Sequence, residues 1–151
     1  MLGTTDLSIV VTNDGQYTLT EGVGAEVDPT TLTTQEILAK VKAAGIVGLG
    51  GAGFPTHVKL APKDPTAIKY VIANGAECEP YITCDDQLMR NYADEIVGGL
   101  KIMLQLFPNA EGVVLIEENK PEAIAAVQKV CSNENNIHVH PVHVKYPQGG
   151  E

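Results

Sequence analysis

The order of apolar and polar positions divides this chain into elements before any other property is considered. Leu7-Ser8-Ile9-Val10-Val11-Thr12 is a β-branched run closed by Asn13-Asp14-Gly15, a turn signal, and Gln16 to Thr20 reads as its hairpin partner. The stretch 21–31 is polar and glycine-containing, as a linker is. A lone hairpin cannot bury enough surface to stand by itself, so residues 1–24 are expected to be the tail of a preceding domain. Thr33-Thr34-Gln35-Glu36 spells a capping box, in which hydroxyl and carboxylate satisfy each other's backbone donors. Ile37, Leu38, Val41 and Ala44 then recur at helical spacing, and Gly45 stops the helix.

Further along, Ile68 to Ala73 is apolar enough to predict a buried strand. Asp85 or Asp86 can cap one long helix, with Tyr92, Ile96, Leu100, Met103, Leu104 and Phe107 on its buried face and Gly98-Gly99 allowing close packing. Gly112 to Ile116 predicts a second strand. Asn119 can cap the helix that follows, whose apolar side is Ala123, Ala126, Val127 and Val130. Ile137, Val139, Val142 and Val144 alternate as a third strand. Strand, helix, strand, helix, strand at these lengths predicts an α/β fold with right-handed crossovers. The expectation is a Rossmann-like three-layer domain over residues 25–151, a short parallel sheet flanked by helices and preceded by the hairpin remnant.

Composition narrows the class. With 151 residues, 44% of them hydrophobic, the chain can build one ordinary core. A net charge of −9 argues against non-specific nucleic-acid binding, which needs a surplus of Lys and Arg. No apolar run approaches the roughly 20 residues of a membrane helix, and the first residues lack the pattern of a secretory signal. The three cysteines, Cys78, Cys84 and Cys131, form no framework spacing, which points to a reducing, cytoplasmic compartment and gives no metal-ligand set. His138 and His140 share one strand face and His143 lies on the other, so they do not converge on a metal either.

Two stretches carry candidate chemistry. Gly48-Leu49-Gly50-Gly51-Ala52-Gly53-Phe54-Pro55-Thr56-His57-Val58-Lys59 holds four glycines within six residues and ends on a lysine. Such runs occur where backbone must approach something closely, and their successive N–H groups can cradle an anion; a ligand-free turn is the alternative reading. The spacing Gly48-x-Gly50-x-x-Gly53 matches a dinucleotide fingerprint, yet it follows a helix rather than a strand. The second stretch, Asn74-Gly75-Ala76-Glu77-Cys78-Glu79-Pro80, leaves the carboxyl end of a predicted parallel strand, where ligands bind in open α/β sheets. A solvated acidic turn would look the same. At the other end, Gly149-Gly150-Glu151 is a further close-approach loop, and the chain reads as an excised domain truncated there.

Together, residues 48–59, residues 74–83 (Asn-Gly-Ala-Glu-Cys-Glu-Pro-Tyr-Ile-Thr) and residues 145–151 (Lys-Tyr-Pro-Gln-Gly-Gly-Glu) resemble the C subunit of the Rnf electron-transport complex, the RnfC family. More distantly they resemble the flavin subunit of respiratory complex I. The resemblance covers about residues 33 to 151. It implies an FMN site with NAD(H) as substrate: Gly48, Gly50, Gly51 and Gly53 around the flavin, Lys59 near its phosphate or ribityl chain, Asn74 and Glu77 holding it, Glu79 on the nicotinamide side, and Gly149, Gly150 and Glu151 as a further contacting loop. It implies no catalytic acid or base, since the flavin carries the chemistry. The chain departs from the complex I flavin subunits at Leu49, Ala76 and Gly150, where those have an arginine, an aspartate and an acidic residue. The implied setting is an Rnf-type ion-translocating ferredoxin:NAD oxidoreductase at the inner face of the cell membrane, with membrane and ferredoxin-type subunits as partners. Iron–sulfur clusters are implied only in a C-terminal part absent here. Related readings are a cobalamin reductase, an electron donor to an amino-acid reductase, or a docking module without cofactor.

Overall fold

The computed structural model describes residues 9–49 and 52–149. Three strands, β1 (Tyr70–Gly75), β2 (Glu111–Glu117) and β3 (Ile137–Val142), form one parallel sheet in the order β1-β2-β3. Asn74 pairs with Leu115, and Leu115 with His140. The α-helices are α1 (Thr34–Ala43), α2 (Thr56–Lys59), α3 (Cys84–Asn91), α4 (Ala93–Leu104) and α5 (Pro121–Cys131). β1 reaches β2 through α3 and α4, and β2 reaches β3 through α5, which is the α/β parallel architecture expected.

The crossovers place α3, α4 and α5 in mutual contact, and all three touch strands. Between helices and sheet lies the core: Val97, Leu100, Val114, Ile116, Ala123, Val127 and Ile137. Each large apolar side chain among them contributes on the order of 1.5–3 kcal/mol by leaving water. Arg90 on α3 pairs with Glu122 on α5, and Lys101 on α4 reaches Glu134 at 2.8 Å. Ile37 of α1 and Leu60 just after α2 belong to the same buried cluster. α1 begins as expected: the Thr33 hydroxyl accepts from the Glu36 N–H, and the Glu36 carboxylate accepts from the Thr33 N–H at 2.8 Å. It ends at Gly45, whose φ of 66° is the left-handed value glycine adopts freely.

Four expectations change. Residues 9–20 form no strand, and Ile9, Val10 and Val11 are exposed; Leu7 and Ser8, where the expected first strand begins, lie outside the described residues. β1, expected to be buried, is half-buried, with Tyr70 58% and Ile72 54% exposed. The single long helix is two, broken at Tyr92 (φ −134°, ψ 35°), while Gly98 and Gly99 lie inside α4 without breaking it. The cap positions also shift: α3 starts after Thr83, with Asp85 and Asp86 in its first turn, and α5 starts after Lys120, with Pro121 at its first position, leaving Asn119 in the turn before.

Candidate functional site

The carboxyl edge of the sheet gathers most of the polar chemistry. At the end of β1, Gly75 has no room for a side chain: a Cβ there would lie 2.7 Å from the Leu115 carbonyl oxygen and 2.8 Å from the Met89 sulfur. Next to it, Asn74 reaches across the edge. Its side-chain oxygen accepts from the Ala76 N–H at 3.2 Å, and its Nδ2 donates to the Gly149 carbonyl at 3.0 Å. β2 lies between β1 and β3, so the chain leaving β3 crosses the end of β2 to make this contact. It passes so close that a Cβ on Gly149 would run into the Ala76 carbonyl oxygen. The stretch after β1 and the loop near the end of the chain are thus joined.

Glu77 is 6% exposed and fully engaged. Its Oε1 accepts from the Asp85 N–H at 2.9 Å and the Cys84 thiol at 3.3 Å. Its Oε2 accepts from the Asp86 N–H and the Lys120 ammonium, each at 3.3 Å. The carboxylate therefore satisfies the open N–H groups that begin α3, at the end of the helix where negative charge is favoured. Burial pushes this carboxyl up, and the hydrogen bonds outweigh it, holding Glu77 below the ordinary glutamate range. Conversely, the bond to Glu77 raises the Cys84 thiol. Burial, followed by the charges of Glu77 and Glu79, raises Asp85 against the opposing pull of Lys120. Glu79 is exposed beside this group, and Cys78 is half-buried.

The described residues on either side of the glycine run pair with one another. Val47 bridges Pro55, the Gly48 N–H donates to the Phe54 carbonyl at 2.9 Å, and the Thr56 N–H donates to the Ile46 carbonyl at 3.2 Å. Gly48 therefore already uses its own donor inside the loop. Gly53 takes a φ of 61°, and Lys59 ends the single turn of α2. Gly50, Gly51, Gly150 and Glu151 lie outside the described residues.

Two residues of this edge escape the sequence reading. Lys120 supplies the only cation on Glu77 among the described contacts, and it sits just before a helix-starting Pro121. Glu117, the last residue of β2, is 1% exposed, and neither of its carboxylate oxygens has a hydrogen-bond partner. An unsatisfied buried polar group costs about 1–3 kcal/mol, and more when charged. The signal for it is a charged residue ending the buried run Gly-Val-Val-Leu-Ile-Glu. A cavity of about 190 Å³ also opens on the helix side of β1, lined by Asn74, Asp85, Leu88, Met89 and neighbours; it is smaller than the roughly 300 Å³ of ordinary ligand sites.

The fold is a parallel α/β sheet with glycine approaches and acidic side chains gathered at its carboxyl edge, and comparison with known proteins gives its family. The chain belongs to the family described as the Nuo51 FMN-binding domain, whose model matches residues 41–151. It is similar to the C subunit of the ion-translocating oxidoreductase complex of Pasteurella multocida (strain Pm70), 47% identical over 119 residues, which is 79% of this chain and 14% of that protein. It is also similar to the C subunit of the Na(+)-translocating ferredoxin:NAD(+) oxidoreductase complex of Acetobacterium woodii, 41% identical over 145 residues, 96% of this chain and 33% of that protein. The chain thus spans a third or less of the length of these relatives. Among solved structures, an NAD+-reducing [NiFe]-hydrogenase in its H2-reduced state superposes with a TM-score of 0.62 at 25% identity, over 81% of this chain and 22% of that one. The expected likeness to the C subunit of an ion-translocating electron-transport complex is borne out. No helix among the described residues is long and apolar enough to cross a membrane.

Proposed function

We propose that this chain is the FMN-binding, NAD(H)-linked electron-transfer part of an Rnf-type ion-translocating ferredoxin:NAD oxidoreductase. The observation that carries the reading is the Asn74–Gly149 contact, which draws two cofactor-type motifs onto one sheet edge within the matched family region. The residues present suit a flavin. Gly75 and Gly149 let the backbone close against Leu115, Met89 and the Ala76 carbonyl, Asn74 locks the crossing loop, and by the family likeness Lys59 with Gly48, Gly50, Gly51 and Gly53 would supply the charge and glycine backbone a phosphate or ribityl chain requires. Glu79 lies exposed beside the edge, on the side assigned to nicotinamide.

Glu77 takes a different role from direct contact. With both oxygens engaged, it fixes the turn 76–79 against α3 and α5 and so positions Glu79. When bound, FMN supplies the chemistry, accepting a hydride and releasing single electrons. The protein's part is to orient it, hold it at the sheet edge and present Glu79 to the dinucleotide. Iron–sulfur centres, membrane and ferredoxin-type subunits, and a station on the inner membrane face belong to the rest of such a complex.

The test is reconstitution. The purified chain, incubated with excess FMN and desalted, is expected to keep a flavin absorbance spectrum with quenched fluorescence. A chain that retains no flavin overturns the reading. Asn74→Ala and Lys59→Ala are each expected to lower flavin occupancy, and unchanged occupancy in both removes the site assignment.

A further inference from the structure

Glu117 stands at the carboxyl end of β2, level with Val142 of β3. Side chains alternate along a strand, so it shares a face with Leu115, whose neighbour across the sheet is Asn74. The path of the chain from β3 to Asn74 crosses this same end. Glu117 is 1% exposed at this crossed end, yet both carboxylate oxygens lack a partner. The nearest cation along the chain does not serve it. Lys120 gives its backbone N–H to the Glu117 main-chain carbonyl at 3.0 Å and turns its ammonium to Glu77.

We infer that Glu117 is a binding residue for a hydrogen-bond donor of the ligand, and that it fixes which end of the flavin lies over β2. This rests on the FMN reading above. A carboxylate accepts and does not donate, so its partner is an N–H or O–H group. A flavin offers such donors in its imide N–H and its ribityl hydroxyls. The phosphate is excluded from this place, because two anions at a buried site repel strongly. Glu117 thus holds the donor-bearing part at the sheet edge and sends the phosphate elsewhere, toward positive charge and bare backbone.

The experiment compares FMN with riboflavin, which lacks the phosphate, by fluorescence titration of the wild-type chain, Glu117→Gln and Glu117→Leu. Loss of a charged acceptor is expected to weaken both flavins by about tenfold or more, and by equal factors. Thermal melting without ligand is expected to show Glu117→Leu as stable as the wild type or more so, since it removes a buried charge with no partner, and Glu117→Gln close to the wild type, since it removes the charge but leaves a buried amide. Wild-type binding with unchanged affinity in the variants overturns the inference and leaves the FMN reading standing. FMN binding that strengthens relative to riboflavin in Glu117→Gln also overturns it, since the phosphate would then lie beside Glu117. If the wild type binds neither flavin, the FMN reading falls and this inference with it. Should Glu117→Gln fail to fold, Glu117→Leu carries the same comparison with a side chain suited to burial.

Discussion

The carboxyl ends of β1 and β2 lie side by side, and each delivers one buried glutamate. Glu77, just beyond β1, has four donors on its two oxygens; Glu117, at the end of β2, has none. The residue type, burial and sheet edge are the same, but the energetics are opposite. One carboxylate holds a helix start and a lysine in place. The other is held in place by its surroundings and presents an unmet demand. A buried acid at a strand end is therefore no sign of function by itself, and its partners decide which kind it is.

Substitutions can break that contrast. The largest effect is expected for Glu77→Ala, which strands Lys120 and reopens the first N–H groups of α3. A loss of about 3 kcal/mol in urea unfolding is the expected outcome, against no loss for Glu117→Leu. Equal losses at the two positions would erase the distinction. Acid sharpens it. Because Glu77 is held below the ordinary range, its contribution is complete above an unfolded value of about 4.3 and disappears as pH falls through the lower folded value. The wild type is expected to lose stability below that point more steeply than Glu77→Gln, measured by melting temperature against pH.

Smaller effects follow. Gly149→Ala drives a methyl into the Ala76 carbonyl, so the crossing loop must shift, at a cost of about 1–3 kcal/mol and with reduced flavin retention. Thr33→Ala, far from either strand end, removes the capping box and is expected to cost about 1 kcal/mol without changing flavin retention. The smallest change is expected at Asp85, which is raised by burial, Glu77 and Glu79. Its charged form is disfavoured in the fold, so Asp85→Asn should stabilise at neutral pH by less than about 1 kcal/mol, after solvent screening. That gain should vanish as pH falls through the ordinary aspartate range.

What local chemistry decides is legible in the sequence. The capping box at Thr33, the stop at Gly45 and the three strands are each signalled by a few neighbouring residues. Of the hairpin expected over Leu7–Thr12 and Gln16–Thr20, the described residues form no strand, because β-branched residues show a liking for sheet without showing which strand they pair with. The break at Tyr92 is hidden by an apolar face continuous across two helices. In the site, the Asn74–Glu79 and Gly149 stretches are legible as motifs, but their contact depends on a crossing that only the sheet order creates. Glu77 stands out for its charge and reads as a ligand-holding residue, whereas its neighbours in space, Asp85 and Lys120, come from other elements. Glu117 escapes notice because it closes an apolar run and looks like the first residue of a solvated turn.

The bond between Asn74 and Gly149 joins residues 75 positions apart, more than either strand pairing must span. Closing a longer loop costs more chain entropy, and this closure is rewarded only after β1, β2 and β3 have aligned. It should therefore form late in folding and open early in native-state hydrogen exchange, while the amides between β2 and β3 stay protected. The edge proposed to receive the cofactor is thus the last to be finished. A flavin binding there would add its free energy where the chain's own cooperativity is thinnest, lengthening protection at Ala76 before it changes the core.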